Sequence, residues 1–375
     1  MTKRKATTAA TGAGRRSKRT KSTCSTFVWN RREWKQTTVY TREVSLMSKI
    51  SDRCSKVVKK VLAVTPNSAD SPLPFELRAL AMLPECNRIM RPIHYSASDP
   101  DPQHGTAIFE YSPLGDLAQW KDKNFDRKNF KPVPESIIWR FLLQMSQALA
   151  VMHNTLGPNR RGREILLHRD IKPKNILVTE NGTTYPSFKL FDFNCAAVWT
   201  KEKAGQSAIV GTFEWQPPEN PKVNTKAADI WALGACVHYL ATGLYPIEDK
   251  DAYEATRFAE NNAHPQSAHQ YTPVNRYYAA RVPRKVTSIN LSRAEQRQQG
   301  IAPYIWVAGG PDCYNHQYSD ELNDWMTQCL HTTPGRRPTA ERLVKRMSLD
   351  AKSMLKKMGG QAALTDLDVI FGPGS

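Results

Sequence analysis

Leu167-His168-Arg169-Asp170-Ile171-Lys172-Pro173-Lys174-Asn175-Ile176-Leu177, a polar turn at Asn181-Gly182, then Phe188-Lys189-Leu190-Phe191-Asp192-Phe193-Asn194 is the stretch on which the rest of the chain depends. Ile176 to Val178 and Phe188 to Phe191 are short apolar runs on either side of an Asn-Gly turn, so they read as two buried strands of a hairpin. The strand ends present Asp170, Asn175 and Asp192 in one small space. Chemistry on phosphates needs a carboxylate to receive a hydroxyl proton, hard oxygen ligands for Mg2+ and a cation facing the moving phosphoryl group. Any one of these side chains alone would be an ordinary turn or cap residue; all of them in this order form a site.

The ordered set His-Arg-Asp-x-Lys-Pro-x-Asn followed by Asp-Phe resembles the catalytic and metal-binding loops of protein kinases. The resemblance implies that Asp170 receives or orients a substrate hydroxyl, Lys172 contacts the γ-phosphate of ATP, and Asn175 and Asp192 hold Mg2+. Lysine two positions after the aspartate looks like the serine/threonine-specific form of the loop. Asn194 stands where the family has glycine, and asparagine tolerates a left-handed backbone better than most residues.

Upstream, apolar positions at Val39, Val44, Leu46, Val57, Val58 and Val61 predict strands of a small sheet. Lys59 resembles the strand lysine that kinases aim at the nucleotide's phosphates, with Lys60 its competitor. Glu76, Leu80 and Leu83 share one helix face, which places Glu76 to pair with Lys59. Val44, Val57 and Leu177 are expected to line the nucleotide pocket. The segment Thr106 to Leu117 looks like the kinase hinge, where the backbone of Glu110, Tyr111 and Ser112 would bind adenine and Asp116 would reach the ribose. One departure is plain: no glycine occurs between Gly14 and Gly105, so the glycine-rich loop of the family is missing. Thr38 to Val44 stands in its place, and Arg42 is its one cation.

Downstream, Ile138, Phe141, Leu142, Met145, Leu149 and Met152 recur at helical spacing, predicting an amphipathic helix over 136–154. Cys195 to Val210 has the composition of an activation loop, with Thr200 and Ser207 as candidate phosphate acceptors near a basic pocket at Arg169. Gly211-Thr212-Phe213-Glu214-Trp215-Gln216-Pro217-Pro218-Glu219 resembles the substrate-positioning segment, in which Thr212 would bond near Asp170 and Glu219 would need a buried cation, for which Arg337 fits. Asp229 resembles the helix residue that anchors the catalytic loop. The style of Trp215 to Gly243 is similar to kinases of filamentous fungi.

The composition is that of a globular chain, 375 residues and 40% hydrophobic, with seven scattered cysteines at no metal-ligand spacing. A reducing, intracellular setting is expected, nucleus or cytoplasm, with no membrane partner. The uncharged run Ile230 to Ile247 holds Gly234, His238, Gly243 and Pro246, as a buried helix and turn would. Net charge is +18, and residues 1–35 contribute +10 of it, from eleven Lys or Arg and Glu33. Lys3-Arg4-Lys5 and Arg15 to Lys21 look like a two-part nuclear-import signal or a tail for polyanions.

These readings predict an α+β, protein kinase-like two-lobed fold: a disordered basic tail over 1–25, a β-rich small lobe to the hinge over 26–111, a mainly helical large lobe over 112–348 with a basic insert near 250–316, and a C-terminal tail over 349–375. The expected function is ATP-dependent serine/threonine protein phosphorylation. The alternative is a pseudokinase, a binding or scaffolding module that keeps the fold without its glycine-rich loop.

Overall fold

Strand β3 (Lys56–Ala63) shows how the small lobe is built, since it is apolar on both sides and carries two adjacent lysines. It lies at the centre of an antiparallel sheet of order β1-β2-β3-β5-β4, with β1 at Trp34–Val39, β2 at Val44–Lys49, β4 at Pro92–Ser96 and β5 at His104–Glu110. Val57 packs on one face with Trp34, Met47 and Ile108. Leu62 and Ala107 face the other way, against Leu77 and Leu80 of helix α1 (Phe75–Ala81). Successive strand residues point to opposite faces, so Lys60 shares the α1 side with Leu62 while Lys59 shares the Val57 side.

The chain then enters the helical lobe through α2 (Leu117–Lys121), whose N-cap is Asp116, and α3 (Glu135–Met152). In this computed structural model the described residues are 27–64, 73–207, 209–220, 222–223, 225–260, 271, 273–301 and 314–373. The basic tail over 1–25 and parts of the insert (261–270, 272 and 302–313) lie outside them. Two short antiparallel pairs follow α3: β6 (Ile165–Leu167) pairs with β9 (Ala197–Trp199), and between them β7 (Ile176–Thr179) forms a hairpin with β8 (Ser187–Leu190). Ile176 and Val178 are fully buried, whereas Leu177 between them faces the opposite side.

Helix α3 departs from its expected amphipathic form. Every residue from Ser136 to Met152 is buried, including Arg140, Gln144 and Gln147. The polar stripe that would face water is covered by the end of the chain.

Helix α4 (Lys226–Thr242) is capped by the Thr225 hydroxyl and ends at Gly243, whose φ of +81° is a left-handed stop that glycine adopts without strain. It accounts for most of the uncharged run noted above, and no described helix is long and apolar enough to cross a membrane. Helices α5 (Lys250–Ala259), α6 (Asn275–Arg281), α7 (Arg293–Gln298) and α8 (Asp320–Cys329) follow. Then α9 (Ala340–Arg342) runs through one wide turn into α10 (Ser348–Gly359). The stretch expected as a tail after residue 348 is therefore helix and then packed chain, with Ala351, Leu355, Ala363 and Leu367 buried.

His238 sits inside α4, its Nδ1–H donating to the Leu244 carbonyl at 2.9 Å and its Nε2 accepting the Thr287 N–H at 3.1 Å. Burial pushes its imidazolium down to a pKa of about 4. The unfolded chain takes up this proton near pH 6.5 and the folded chain does not, so stability is full above that pH and falls as pH drops toward 4. Between pH 7 and 5 the loss from this residue is about 2 kcal/mol. It should be read as a urea-midpoint shift that is smaller in His238→Gln.

Candidate active site

The floor of the site is the loop between β6 and β7. Asp229, buried on α4, accepts the backbone N–H of His168 at 3.0 Å and of Arg169 at 2.9 Å, and meets His153 Nε2 at 3.2 Å. Burial alone would raise its carboxyl; His153 and the two N–H donors outweigh that and hold it below its ordinary value. His168 Nε2 bonds the Phe191 carbonyl at 3.1 Å, linking this loop to the one carrying Asp192. Burial holds the ring neutral.

Asp170, Lys172, Asn175 and Thr212 converge as expected from the sequence. Lys172 Nζ donates to Asp170 Oδ2 and to Thr212 Oγ1, both at 2.8 Å. Asn175 donates through its amide nitrogen to the Asp170 carbonyl at 2.8 Å and to Oδ2 at 3.0 Å, which leaves its amide oxygen as an acceptor. Asp170 Oδ1 is buried with no hydrogen-bond partner among the described residues. Gly211 passes directly over this point: at φ +82°, any Cβ there would lie 2.3 Å from the Arg169 carbonyl and 3.3 Å from Asp170 Oδ1.

On the opposite wall the structure corrects the sequence reading. Lys60, not Lys59, pairs with Glu76, at 2.7 Å, and also reaches Asp192 Oδ1 at 3.0 Å. The reason is the strand parity described above, which turns Lys59 toward Ile108 and away from α1. Burial disfavours the charge on Lys60, yet the two carboxylates outweigh it and its ammonium titrates above the ordinary lysine value. Burial raises Glu76 against the pull of Lys60. Val57, expected in the nucleotide pocket, packs in the outer cluster for the same reason, whereas Val44 lies opposite Lys60 in the ladder and shares its face.

Asp192 has φ +63°, so the left-handed residue of this turn is the aspartate; Asn194 is not left-handed and instead donates to Asp192 Oδ1 at 2.8 Å. Arg169 is engaged by the carbonyls of Cys195 and Ala196. The Thr200 hydroxyl bonds Glu202, and Ser207 is exposed, bridged through its backbone to Val223.

Glu110 is exposed at the end of β5, Tyr111 and Ser112 are half-buried beyond it, and Asp116 spends Oδ1 on the Gln119 N–H at 2.9 Å. The turn from Tyr40 to Val44 has closed on itself. The N–H groups of Tyr40 and Thr41 bond the Val44 carbonyl, and those of Glu43 and Val44 bond the Thr41 hydroxyl.

Under the site, Glu219 and Arg337 form the expected pair, bidentate at 2.8 Å for both bonds. The sequence did not show that the basic insert is turned inward: Arg284 donates to the carbonyls of Phe213 at 2.7 Å and Gln216 at 2.8 Å, and Arg276 to that of Gly211 at 3.3 Å. Its signal was the arginine spacing of a segment read as surface.

Residues 41–347 match the family described as the protein kinase domain. The chain belongs to the protein kinase family. Among similar curated proteins, the kinase domain is 34% identical over 141 residues to a probable serine/threonine-protein kinase of Dictyostelium discoideum, covering 37% of this chain and 25% of that protein. It is 32% identical over 175 residues to the probable serine/threonine-protein kinase nek2 of the same organism (46% and 37%), and 28% over 151 residues to an Aurora kinase of Schizosaccharomyces pombe (40% and 37%). The matches thus span less than two-fifths of these relatives' own length. As in the family, a β-sheet lobe precedes a helical one.

Proposed function

We propose that this kinase domain is catalytic, transferring the γ-phosphate of ATP to serine or threonine hydroxyls of a protein substrate. The observation that carries the reading is Asp170 Oδ1, a buried acceptor without a partner among the described residues, beside Lys172 and under Gly211. An incoming hydroxyl is the group that satisfies it, and an unmet buried acceptor is costly. Asp170 then orients the hydroxyl and takes its proton, Lys172 faces the γ-phosphate, and Lys60, held by Glu76, faces the α- and β-phosphates. The residues also fit Mg2+, which usually takes one or two protein oxygens and leaves the rest to phosphates and water. The Asp192 carboxylate and the Asn175 amide oxygen would hold it, and when bound it would neutralise phosphate charge.

The pseudokinase reading is favoured by one observation, the Tyr40 to Val44 turn, in which the N–H groups of Tyr40, Thr41, Glu43 and Val44 are bonded internally and so are not offered to phosphates. The basic clusters before residue 25 support only an accessory role, contact with an import receptor or a polyanion, and with it a nuclear as well as cytoplasmic location.

The test is transfer from labelled ATP, with Mg2+ or Mn2+, to the protein itself and to a generic basic protein. Asp170→Asn should lose transfer by about a hundredfold or more. A thermal-shift titration with ATP and metal runs beside it. No transfer together with no ATP-dependent shift would make the scaffold the better account.

A further inference from the structure

The polar stripe of α3 is bonded partly to β8 and its approach, through Pro186, Ser187 and Phe188, partly to Arg88, and partly to a later segment of the chain. Arg140 Nη1 donates to the carbonyls of Ala363 at 2.7 Å and Thr365 at 2.9 Å. Gln144 and Gln147 donate to the carbonyls of Asp366 at 2.8 Å and Leu367 at 3.0 Å. Arg88, from the loop between α1 and β4, is fully buried and donates to the carbonyls of Asp366 and Asp368 and to the Asp366 carboxylate. That carboxylate also accepts from Ser187 of β8 at 2.6 Å and from Asn87 at 2.9 Å. Asp366 achieves this at φ +50°, in the left-handed region where aspartate is among the better tolerated side chains. Two guanidinium groups buried in this way hold their position only while acceptors surround them.

The same loop is attached to the site. The Arg88 carbonyl accepts the Leu190 N–H, and the Leu190 carbonyl accepts the Met90 N–H, both at 2.9 Å. Leu190 lies two residues before Asp192, and α1, which carries Glu76, leads into the Arg88 loop. One hydrogen-bonded chain therefore runs from Asp366 through Arg88 to the strand that presents Asp192, and a shorter arm runs through Ser187 along β8.

We propose that the segment Gln361 to Phe371 is a positioning strap, with Asp366 as its anchor, that holds β8 and the Arg88 loop in the register that brings Asp192 and Glu76 to Lys60. Its effect on transfer rests on the catalytic reading above; its effect on β8 does not.

The experiment uses the full chain and its variants Asp366→Ala and Asp366→Asn. Amide hydrogen exchange is followed without nucleotide in peptides covering 86–92, 187–193 and 211–219. For Asp366→Ala, exchange should rise about ten- to a hundredfold in the first two regions and stay unchanged in the third. Asp366→Asn keeps part of the bonding and should lie between. Acceleration confined to 360–373 would overturn the strap, as would equal acceleration in all three regions. If Asp366→Ala does not fold, Asp366→Asn and Ser187→Ala decide by the same comparison. Well below every melting temperature, kcat for transfer should fall about tenfold in Asp366→Ala; an unchanged kcat would reduce the segment to a stabilising one and reject the proposal. A wild type that transfers no phosphate would defeat the catalytic reading and leave the exchange result standing.

Discussion

Lys60→Met is expected to reduce phosphate transfer by about a hundred- to a thousandfold, the range for one preorganised cationic or hydrogen-bond donor, while Lys59→Met stays within about threefold of the wild type. The two lysines are adjacent and chemically identical, so the contrast isolates geometry. Lys60 Nζ lies between Glu76 and Asp192, where the neighbouring carboxylates fix its position and keep it charged. Removing it also leaves Glu76 as a buried carboxylate without its cation, and the burial that already raises its pKa then acts unopposed by that pair. Labelled-ATP transfer and the ATP-dependent thermal shift should fall together in Lys60→Met. Equal losses in the two variants would contradict the strand parity, and a loss in Lys59→Met alone would restore the sequence-based assignment.

Arg337→Met is expected to cost about 3–5 kcal/mol of stability, the usual result of leaving one member of a buried ion pair uncompensated. The guanidinium makes two bonds to Glu219, donates to the carbonyls of His331, Ala227 and Thr332, and lies over the Trp231 ring at 5.0 Å. All of these join the segment 211–219 to α4 and to the turn before α9. The urea midpoint measures the loss, and the double variant Arg337→Met with Glu219→Gln should recover part of it because the stranded charge is gone. A loss below about 1 kcal/mol would mean that water reaches the pair.

What could be read from the sequence divides along physical lines. Asp170, Lys172 and Asn175 were legible because their chemistry needs those side chains within a few residues of one another, and local spacing survives folding. Glu219 and Arg337 were legible as a pair because a buried carboxylate requires a cation and the chain supplies a fitting one. The choice between Lys59 and Lys60 was not. Val57, Val58, Val61 and Leu62 make β3 apolar on both faces, and a strand without alternation does not show which side each residue takes. The left-handed residue of the turn is not Asn194 but Asp192, two positions earlier, which the position of the family glycine does not indicate. The full burial of α3 had a partial local signal in Ile137, Trp139, Leu143 and Val151, which leave it apolar outside the expected stripe; the burial of Arg140 had none, because the carbonyls its Nη1 meets lie more than two hundred residues later in a segment with no periodicity.

That covering segment also separates two meanings of a domain. The family match closes at residue 347, inside the helical turn that joins α9 to α10. The hydrogen-bonded and packed structure runs on to Gly372, whose N–H bonds the Glu85 carbonyl in the small lobe. A fragment cut at the family boundary would carry the whole catalytic alphabet yet expose Arg88 and Arg140 as raw charges in an apolar seam. The part that evolution reads and the part that physics folds end in different places.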